Sequence, residues 1–172
     1  MSPAHRRINP AHIDALIRMI NTSPYFQLLS MKVCDLGVGY SNVEVFLQKK
    51  HLNAFGTVHG GVYSSILDSA TYWSVYCELE EDAGWTTLDI CVNDLSMANE
   101  GLVTIEGRSV KIGRNICLAE ATARDKQGRL LAQATSKLMI LQGRQTIDQA
   151  LLSMGYDKLP PKFLEEETSV QH

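Results

Sequence analysis

The stretch His51-Leu52-Asn53-Ala54-Phe55-Gly56-Thr57-Val58-His59-Gly60-Gly61 runs directly into Val62-Tyr63-Ser64-Ser65-Ile66-Leu67-Asp68. Its first part is a polar, glycine-bearing loop, and its second part begins a long apolar helix. Two histidines and an asparagine lie in the loop, a Gly-Gly pair opens the helix, and a carboxylate follows about two turns later. These features are unusual for an element of the core, so this loop-to-helix junction is the candidate functional site.

The helix that follows the loop is predicted over about residues 59–80 and is apolar on most of its sides. Such a helix is normally buried. Small residues lie along it, which would let a sheet approach closely. The apolar positions are Val62, Ile66, Leu67, Ala70, Trp73, Val75, Tyr76 and Leu79, and the small ones are Ser64, Ser65, Ser69, Ala70 and Ser74.

Strand-like runs flank this helix on both sides in the sequence. Two runs, about residues 31–36 and 40–47, are split by Gly37-Val38-Gly39 and predict a hairpin. Four more follow the helix with turn residues between them, at about residues 86–97, 102–112, 115–124 and 129–141. Consecutive strands without intervening helices favour an antiparallel sheet. The predicted class is therefore α+β, with an antiparallel sheet wrapped around one long central helix.

The two ends of the chain lie outside this arrangement. Ile13, Leu16, Ile17 and Ile20 share one face of a helix predicted over residues 10–20, with Asn9 as its cap and Pro10 in its first turn. The first eight residues are expected to be loose. We predict an N-terminal helical extension over residues 1–30, the main domain over 31–142, and a C-terminal appendage over 143–172 that carries a short helical pattern.

A single sheet would cover only one side of the central helix. Since that helix is apolar on most sides, we infer that a second copy of the chain covers the remaining face, or the sheet beside it. The alternative is that the N-terminal helix or the tail covers it instead.

Composition excludes several classes of function. Hydrophobic residues make up 45% of the 172 residues, charged residues 20%, and the net charge is -3, which is unlike a nucleic-acid-binding protein. No apolar run approaches the roughly 20 residues that span a bilayer. The four cysteines have irregular spacings and the first residues lack the apolar core of a signal peptide, so we expect reduced thiols in a cytoplasmic protein.

The motif resembles that of the hotdog-fold thioesterases, in the branch that includes the phenylacetic-acid-pathway thioesterase. The matching residues are His51, Asn53, Gly56, His59, Gly60, Gly61 and Asp68, and the order of the elements is similar over about residues 31–141. The resemblance implies a hotdog fold and hydrolysis of acyl-CoA or aryl-CoA thioesters by a homodimer, further assembled as a dimer of dimers (a homotetramer). It implies no cofactor.

The resemblance also implies roles for individual residues. Asp68 would serve as general base or nucleophile, and the backbone amide of Gly60 would polarise the thioester carbonyl. Asn53 would lie beside that carbonyl, and Thr87 would help to place water.

The residues themselves support part of this chemistry. Hydrolysis needs a group that activates water and donors that face the developing negative charge. Gly60 and Gly61 lie where the first amides of a helix have no intrahelical partner, although a tight turn would equally need glycine. A carboxylate such as Asp68 in an apolar helix costs free energy unless it has a partner or a function. A structural hydrogen-bond or salt-bridge partner would explain it as well as catalysis does. Gly60 and Asp68 are about 12 Å apart along the helix, so a site that uses both is predicted to be shared between two chains.

The remaining polar residues have simpler alternatives. His59 and Gly61 are candidates for substrate binding, but a lone histidine at a helix start is more often structural, and with no supporting cluster near His51 or His59 we predict no metal. Lys111 and Arg114, at a turn between strands, are candidates to bind the phosphates of CoA, or are simply solvated. Asn53 is either a turn former or a ligand of the carbonyl.

The sequence is thus compatible with three functions. An acyl-CoA thioesterase would use Asp68 to activate water, whereas a binding module for acyl-CoA would keep the pocket without needing Asp68. A hotdog hydratase would need a differently placed histidine, which this motif does not favour.

Overall fold

A computed structural model describes residues 7–164. Its centre is a six-stranded antiparallel sheet that packs around one helix, as the sequence predicts. The strand order is β2-β3-β5-β6-β7-β4. In chain order the elements are β1 (Arg7–Ile8), α1 (Pro10–Thr22), α2 (Pro24–Leu29), β2 (Met31–Gly37), β3 (Tyr40–Leu47), α3 (Gly60–Ser74), β4 (Ala83–Asp94), β5 (Gly101–Lys111), β6 (Ile116–Asp125), β7 (Leu130–Gln142), α4 (Ile147–Met154) and β8 (Phe163–Leu164).

The hairpin of β2 and β3 and the four later strands follow the predicted alternation to within a few residues. In β3, Ser41, Val43, Val45 and Leu47 are buried while the residues between them are not. The inward side chains of β2, β3, β5, β6 and β7 form the core together with the buried residues of α3. All four cysteines are unpaired.

The sheet approaches α3 most closely at Gly107 of β5. A Cβ atom at Gly107 would lie 2.2 Å from the carbonyl oxygen of Ala70, so only glycine fits there. The hydroxyl of Ser41 donates a 2.7 Å hydrogen bond to the same carbonyl. A small residue of the helix therefore does permit the close approach that the sequence indicated, and the helix is fixed in its position along the sheet.

The central helix ends earlier than predicted. Instead of continuing to Glu80, α3 ends at Ser74 and is followed by a 3-10 turn over Tyr76–Glu78. The carbonyl oxygens of Tyr76 and Leu79 accept hydrogen bonds of 2.8 and 2.7 Å from Nζ of Lys162, a residue of the distant tail. The apolar pattern alone overestimates the helix because this partner lies more than 80 residues away.

Aromatic residues join the second half of α3 to β4. The rings of Tyr72 and Trp85 stack with centroids 4.8 Å apart. The two residues also exchange hydrogen bonds, since the Tyr72 hydroxyl donates to Trp85 O and Trp85 Nε1 donates to Tyr72 O. These contacts fix the start of β4 against the helix, two residues before Thr87.

At the N-terminal end, α1 begins as predicted, with the side chain of Asn9 accepting a hydrogen bond from the amide of Ala11. The helix packs on β2. The expectation of a loose start is wrong for Arg7–Ile8, which pair with β8, while residues 1–6 lie outside the described part. The sequence also gave no indication of α2.

The tail folds back onto the N-terminal segment. Lys162 is almost fully buried, and burial lowers the pKa of its ammonium group from 10.5 to about 8. Its Nζ lies 4.0 Å from the ring centroid of Tyr76. The Tyr76 hydroxyl is hydrogen-bonded to Nε2 of His12, and Nδ1 of His12 donates to Pro160 O. The tail thus holds the C-terminal end of the central helix and α1 together.

One side of α3 is only partly covered by the sheet, through contacts with the edge strand β4. Residues that recur every three or four positions share this side, which we call the open stripe: Gly61, Ser65, Asp68 and Tyr72. Each of them is exposed or half-buried, whereas Ile66, Leu67 and Ala70 on the opposite side are fully buried. Within residues 7–164, no helix combines the length and hydropathy needed to span a bilayer.

Candidate active site

The loop before α3 is organised by Asn53. Its Oδ1 accepts hydrogen bonds from the backbone amides of Phe55 (2.9 Å) and Thr57 (3.3 Å), and its Nδ2 donates to the Thr57 hydroxyl (3.0 Å). The side chain therefore forms a turn, which is one of the two roles the sequence allowed. One of the two N–H bonds of Nδ2 remains for a ligand.

The end of the loop is fixed by backbone hydrogen bonds. The amide of His59 donates to the carbonyl of His51, and the amide of Val58 donates to the carbonyl of Ala98, in the segment after β4. The site loop is thus joined to the far end of β4. Because both contacts use the backbone, they hold the start of α3 in place whatever the side chains do.

The helix start distinguishes the two glycines. His59 is the N-cap of α3, and its Nδ1 accepts a 2.9 Å hydrogen bond from the amide of Gly61. Among residues 7–164, no acceptor is found for the amide of Gly60, the first residue of the helix. Of these two glycines, Gly60 is therefore the one whose amide is available for a ligand within the described residues, with the positive end of the helix dipole behind it.

Asp68 lies on the open stripe and contacts β4. Its Oδ1 accepts a 2.8 Å hydrogen bond from the hydroxyl of Thr87. Burial raises the pKa of the Asp68 carboxyl above its usual value, and the Thr87 hydrogen bond opposes this rise in pKa. A half-buried carboxylate with one partner has lone pairs left for water, which is what a general base needs.

The helix separates Asp68 from Gly60, and each contacts a different part of β4. The position where a Cβ atom of Gly60 would lie is 2.8 Å from Oδ2 of Asp94, at the end of β4, whereas Asp68 contacts Thr87 near its start. Eight residues of helix correspond to about 12 Å. One chain therefore does not bring the Gly60 amide and the Asp68 carboxylate to the same carbonyl group.

His51, the first residue of the motif, has a structural role. It is fully buried, its Nδ1 accepts from the amide of Gln48, and its Nε2 donates to the carbonyl of Leu29 in α2. Burial lowers the pKa of its imidazole, which keeps the ring neutral. With both nitrogens occupied, this ring is not available to a metal or to the substrate.

Lys111 and Arg114 are exposed at the turn between β5 and β6. The register pairs Thr87 with Leu138, and Leu138 with Cys117, three residues after Arg114. The turn therefore lies at the same end of the sheet as Thr87 and Asp68, and not at the end where Gly60 contacts Asp94.

Two residues near the site had no signal in the sequence. Asp94 lies next to the start of α3 because of the position of β4 relative to the helix. No sequence motif predicts that position. Tyr25 of α2 is hydrogen-bonded through its hydroxyl to Oγ of Ser65, on the open stripe, at 2.7 Å.

Known proteins that are similar in sequence to this chain include thioesterases. The sequence model of the thioesterase superfamily matches residues 55–132. Acyl-coenzyme A thioesterase 13 of Homo sapiens is 29% identical over 104 residues, which cover 60% of this chain and 68% of that protein.

Two solved structures also have a similar fold. A phenylacetic acid degradation-related protein from Ralstonia eutropha JMP134 is 26% identical with a TM-score of 0.67, and the match covers 74% of this chain and 98% of that one. A hypothetical thioesterase protein from Streptococcus pneumoniae TIGR4, solved with coenzyme A, has a TM-score of 0.60 at 22% identity and covers 67% of this chain and 88% of that one.

The fold, the motif and these matches define the class of protein. The sequence is similar to the thioesterase superfamily over residues 55–132, and the chain has the hotdog fold, as the motif around His59 and Asp68 predicts. By class it is a thioester hydrolase. The matched region contains Asp68 and Thr87, whereas α1, α2 and the tail lie outside it.

Proposed function

We propose that this protein is an acyl-CoA thioesterase in which Asp68 activates water. The main support for the proposal is the half-buried Asp68 carboxylate, with its raised pKa and its hydrogen bond from Thr87. A raised pKa makes a carboxylate a better proton acceptor near neutral pH. The names of the relatives, acyl-coenzyme A thioesterase 13 and a thioesterase solved with coenzyme A, support the substrate class.

In the proposed reaction the oxygen of water attacks the thioester carbonyl carbon, and Asp68 takes a proton from that water. The negative charge that forms on the carbonyl oxygen is stabilised by the free amide of Gly60. The carbon–sulfur bond then breaks, and the proton passes from Asp68 to the sulfur of CoA. The products are a carboxylic acid and the CoA thiol.

The site is proposed to form between two chains. Asp68 of one protomer would face Gly60 of the partner subunit, with Asn53 of the partner subunit donating its remaining N–H to the carbonyl or to water. The separation of about 12 Å along α3 supports this arrangement, and the open stripe is a surface that a second copy would cover. A dimer of dimers is the assembly that we expect in solution.

The CoA portion is proposed to reach the turn that carries Lys111 and Arg114. Both side chains are exposed, and a guanidinium matches the geometry of phosphate oxygens. His59 and Gly61 would contact the substrate beside Gly60. We place the reaction in the cytoplasm, an assignment that the four unpaired cysteines support.

The deciding experiment is thiol release from short, medium, long and aromatic acyl-CoAs by wild type and Asp68→Asn. We expect wild type to turn over at least one of them and Asp68→Asn to lose activity by about 10²-fold or more. Asp14→Asn, at an exposed position of α1, is the matched control and should retain activity.

Each alternative gives a different result in this experiment. If wild type binds acyl-CoA but releases no thiol, the protein is a binding module and not a hydrolase. Loss of enoyl-CoA absorbance without thiol release would indicate a hydratase. Full turnover by Asp68→Asn would show that Asp68 takes no part in the reaction.

A further inference from the structure

The helix α2 is held against the candidate site by three side chains. Nε2 of His51 donates to the carbonyl of Leu29, and Nζ of Lys50 donates to the carbonyl of Leu28 and to Oγ of Ser30. The third contact is the hydrogen bond between Tyr25 and Ser65. A helix of six residues is not stable alone, so these contacts and the burial of Phe26 in the core hold α2 in place. All three side chains come from the site loop and α3.

The Tyr25 hydroxyl lies over the open stripe, next to Asp68. Ser65 precedes Asp68 by three residues, which places the two side chains side by side on the helix surface. The Ser65 hydroxyl donates to the carbonyl of Gly61 at 2.8 Å. The hydroxyl of Tyr25 therefore donates to Ser65, and the phenol is fixed about one helical turn from the Asp68 carboxylate.

Apolar surface accompanies this hydroxyl. Tyr25 is 52% exposed and Leu28 is 63% exposed, and since they are three residues apart they share one side of α2. Ligand sites are lined mainly by apolar and aromatic side chains with a few polar groups, and the Tyr25 ring supplies such a surface about one helical turn from Asp68. Thr87 of β4 contacts the stripe at Asp68, and Tyr25 of α2 contacts it at Ser65.

We propose that Tyr25 forms the end wall of the acyl pocket and so restricts the substrate to short acyl groups, an inference that rests on the proposed function. A thioester carbonyl beside Asp68 directs its acyl chain along the stripe. The chain meets the Tyr25 ring after about one turn of helix, or about 5 Å. Leu28 contributes the apolar side of the same wall. Tyr25 lies outside residues 55–132, the region that the family model matches.

The test compares affinities for non-hydrolysable CoA thioethers, S-butyl-CoA and S-dodecyl-CoA, by calorimetry. Wild type should bind the butyl compound more tightly. In Tyr25→Ala the ratio of the two dissociation constants should move toward the dodecyl compound by about tenfold or more, because removal of the ring opens the pocket. Tyr25→Phe keeps the ring and should keep the preference for the short chain. Leu152→Ala, an exposed residue of α4, should leave the ratio unchanged.

If Tyr25 has a merely structural role, Tyr25→Ala should change both affinities by the same factor, and that result would overturn the proposal. A preference of wild type for the dodecyl compound would also overturn it. The ratio of kcat/KM for butanoyl-CoA and dodecanoyl-CoA provides a second readout of the same preference. If the thioethers show the expected change while no thioester is hydrolysed, only the hydrolase assignment fails. If hydrolysis depends on Asp68 but Tyr25→Ala leaves the ratio unchanged, only the wall fails.

Discussion

The hydroxyl of Thr87 donates a 2.8 Å hydrogen bond to Oδ1 of Asp68, and so joins the start of β4 to the middle of the central helix. Two opposing effects act on this carboxyl, since burial raises its pKa and the hydrogen bond lowers it. The hydroxyl thus keeps the proposed base ionised in a partly desolvated position.

Thr87→Val should shift the pH dependence of hydrolysis upward. A base must be deprotonated, so kcat/KM rises with pH through the pKa of Asp68, and loss of the hydrogen bond raises that pKa. A hydrogen bond to a charged group contributes on the order of 1.5 kcal/mol, which corresponds to about one pH unit. Thr86→Val, on the other face of the strand, is the control. An unchanged rising limb in Thr87→Val would show that Asp68 is not the titrating base.

The contribution of the Gly60 amide can be tested by a substitution that removes its N–H. Proline is tolerated at the first position of a helix, and the extended backbone of His59 is compatible with a following proline. Gly60→Pro therefore removes the N–H and preserves the helix. We expect kcat to fall by about 10²-fold or more while the melting temperature stays close to that of wild type.

Gly60→Ala is the matched variant, because it adds the same Cβ atom next to Asp94 but keeps the N–H. It should retain most of the activity that Gly60→Pro loses. Equal losses in the two variants would mean that the added carbon, and not the missing donor, is responsible.

A shared site predicts that two inactive variants restore each other. When Asp68→Asn and Gly60→Pro chains are unfolded together in equal amounts and refolded, half of the dimers are mixed. Each mixed dimer has one site with both intact residues, so activity should return to about a quarter of the wild-type value. Refolding each variant alone is the control. A mixture as inactive as its components would place Gly60 and Asp68 in the same chain's site.

The sequence was sufficient to predict the elements that are determined by neighbouring residues or by a periodic pattern of apolar residues. Alternation in β3 and the polar loop before Gly60 located the sheet and the start of the central helix. Prediction from the sequence failed where a side chain that is distant in the chain determines the structure. Helix α2 has no periodicity of its own and depends on His51 and Ser65, and the end of α3 depends on Lys162. The separate roles of the two glycines were not predictable from the sequence either, because the position of His59 Nδ1 determines which amide is occupied.

The buried Lys162 should make stability depend on pH in an unusual direction. Burial lowers the pKa of its ammonium group to about 8, against 10.5 for a free lysine. Between these two pH values the unfolded chain binds more protons at this residue than the folded chain does. The free energy of unfolding therefore rises with pH across this window, and below about pH 8 this contribution is constant.

Urea unfolding of wild type and Lys162→Met at pH 7, 8, 9 and 10 measures this effect, since the other titrating groups cancel in the difference. The advantage of wild type over Lys162→Met should grow from pH 8 to pH 10 by on the order of 2 kcal/mol. Lys137→Met is the control with the opposite sign, because the hydrogen bond to Asp89 raises the pKa of Lys137 and any contribution from this exposed pair is lost as the pH rises. A difference for Lys162 that stays flat with pH would mean that its ammonium group is hydrated in the folded protein, and that neutral contacts of the tail hold the end of the central helix.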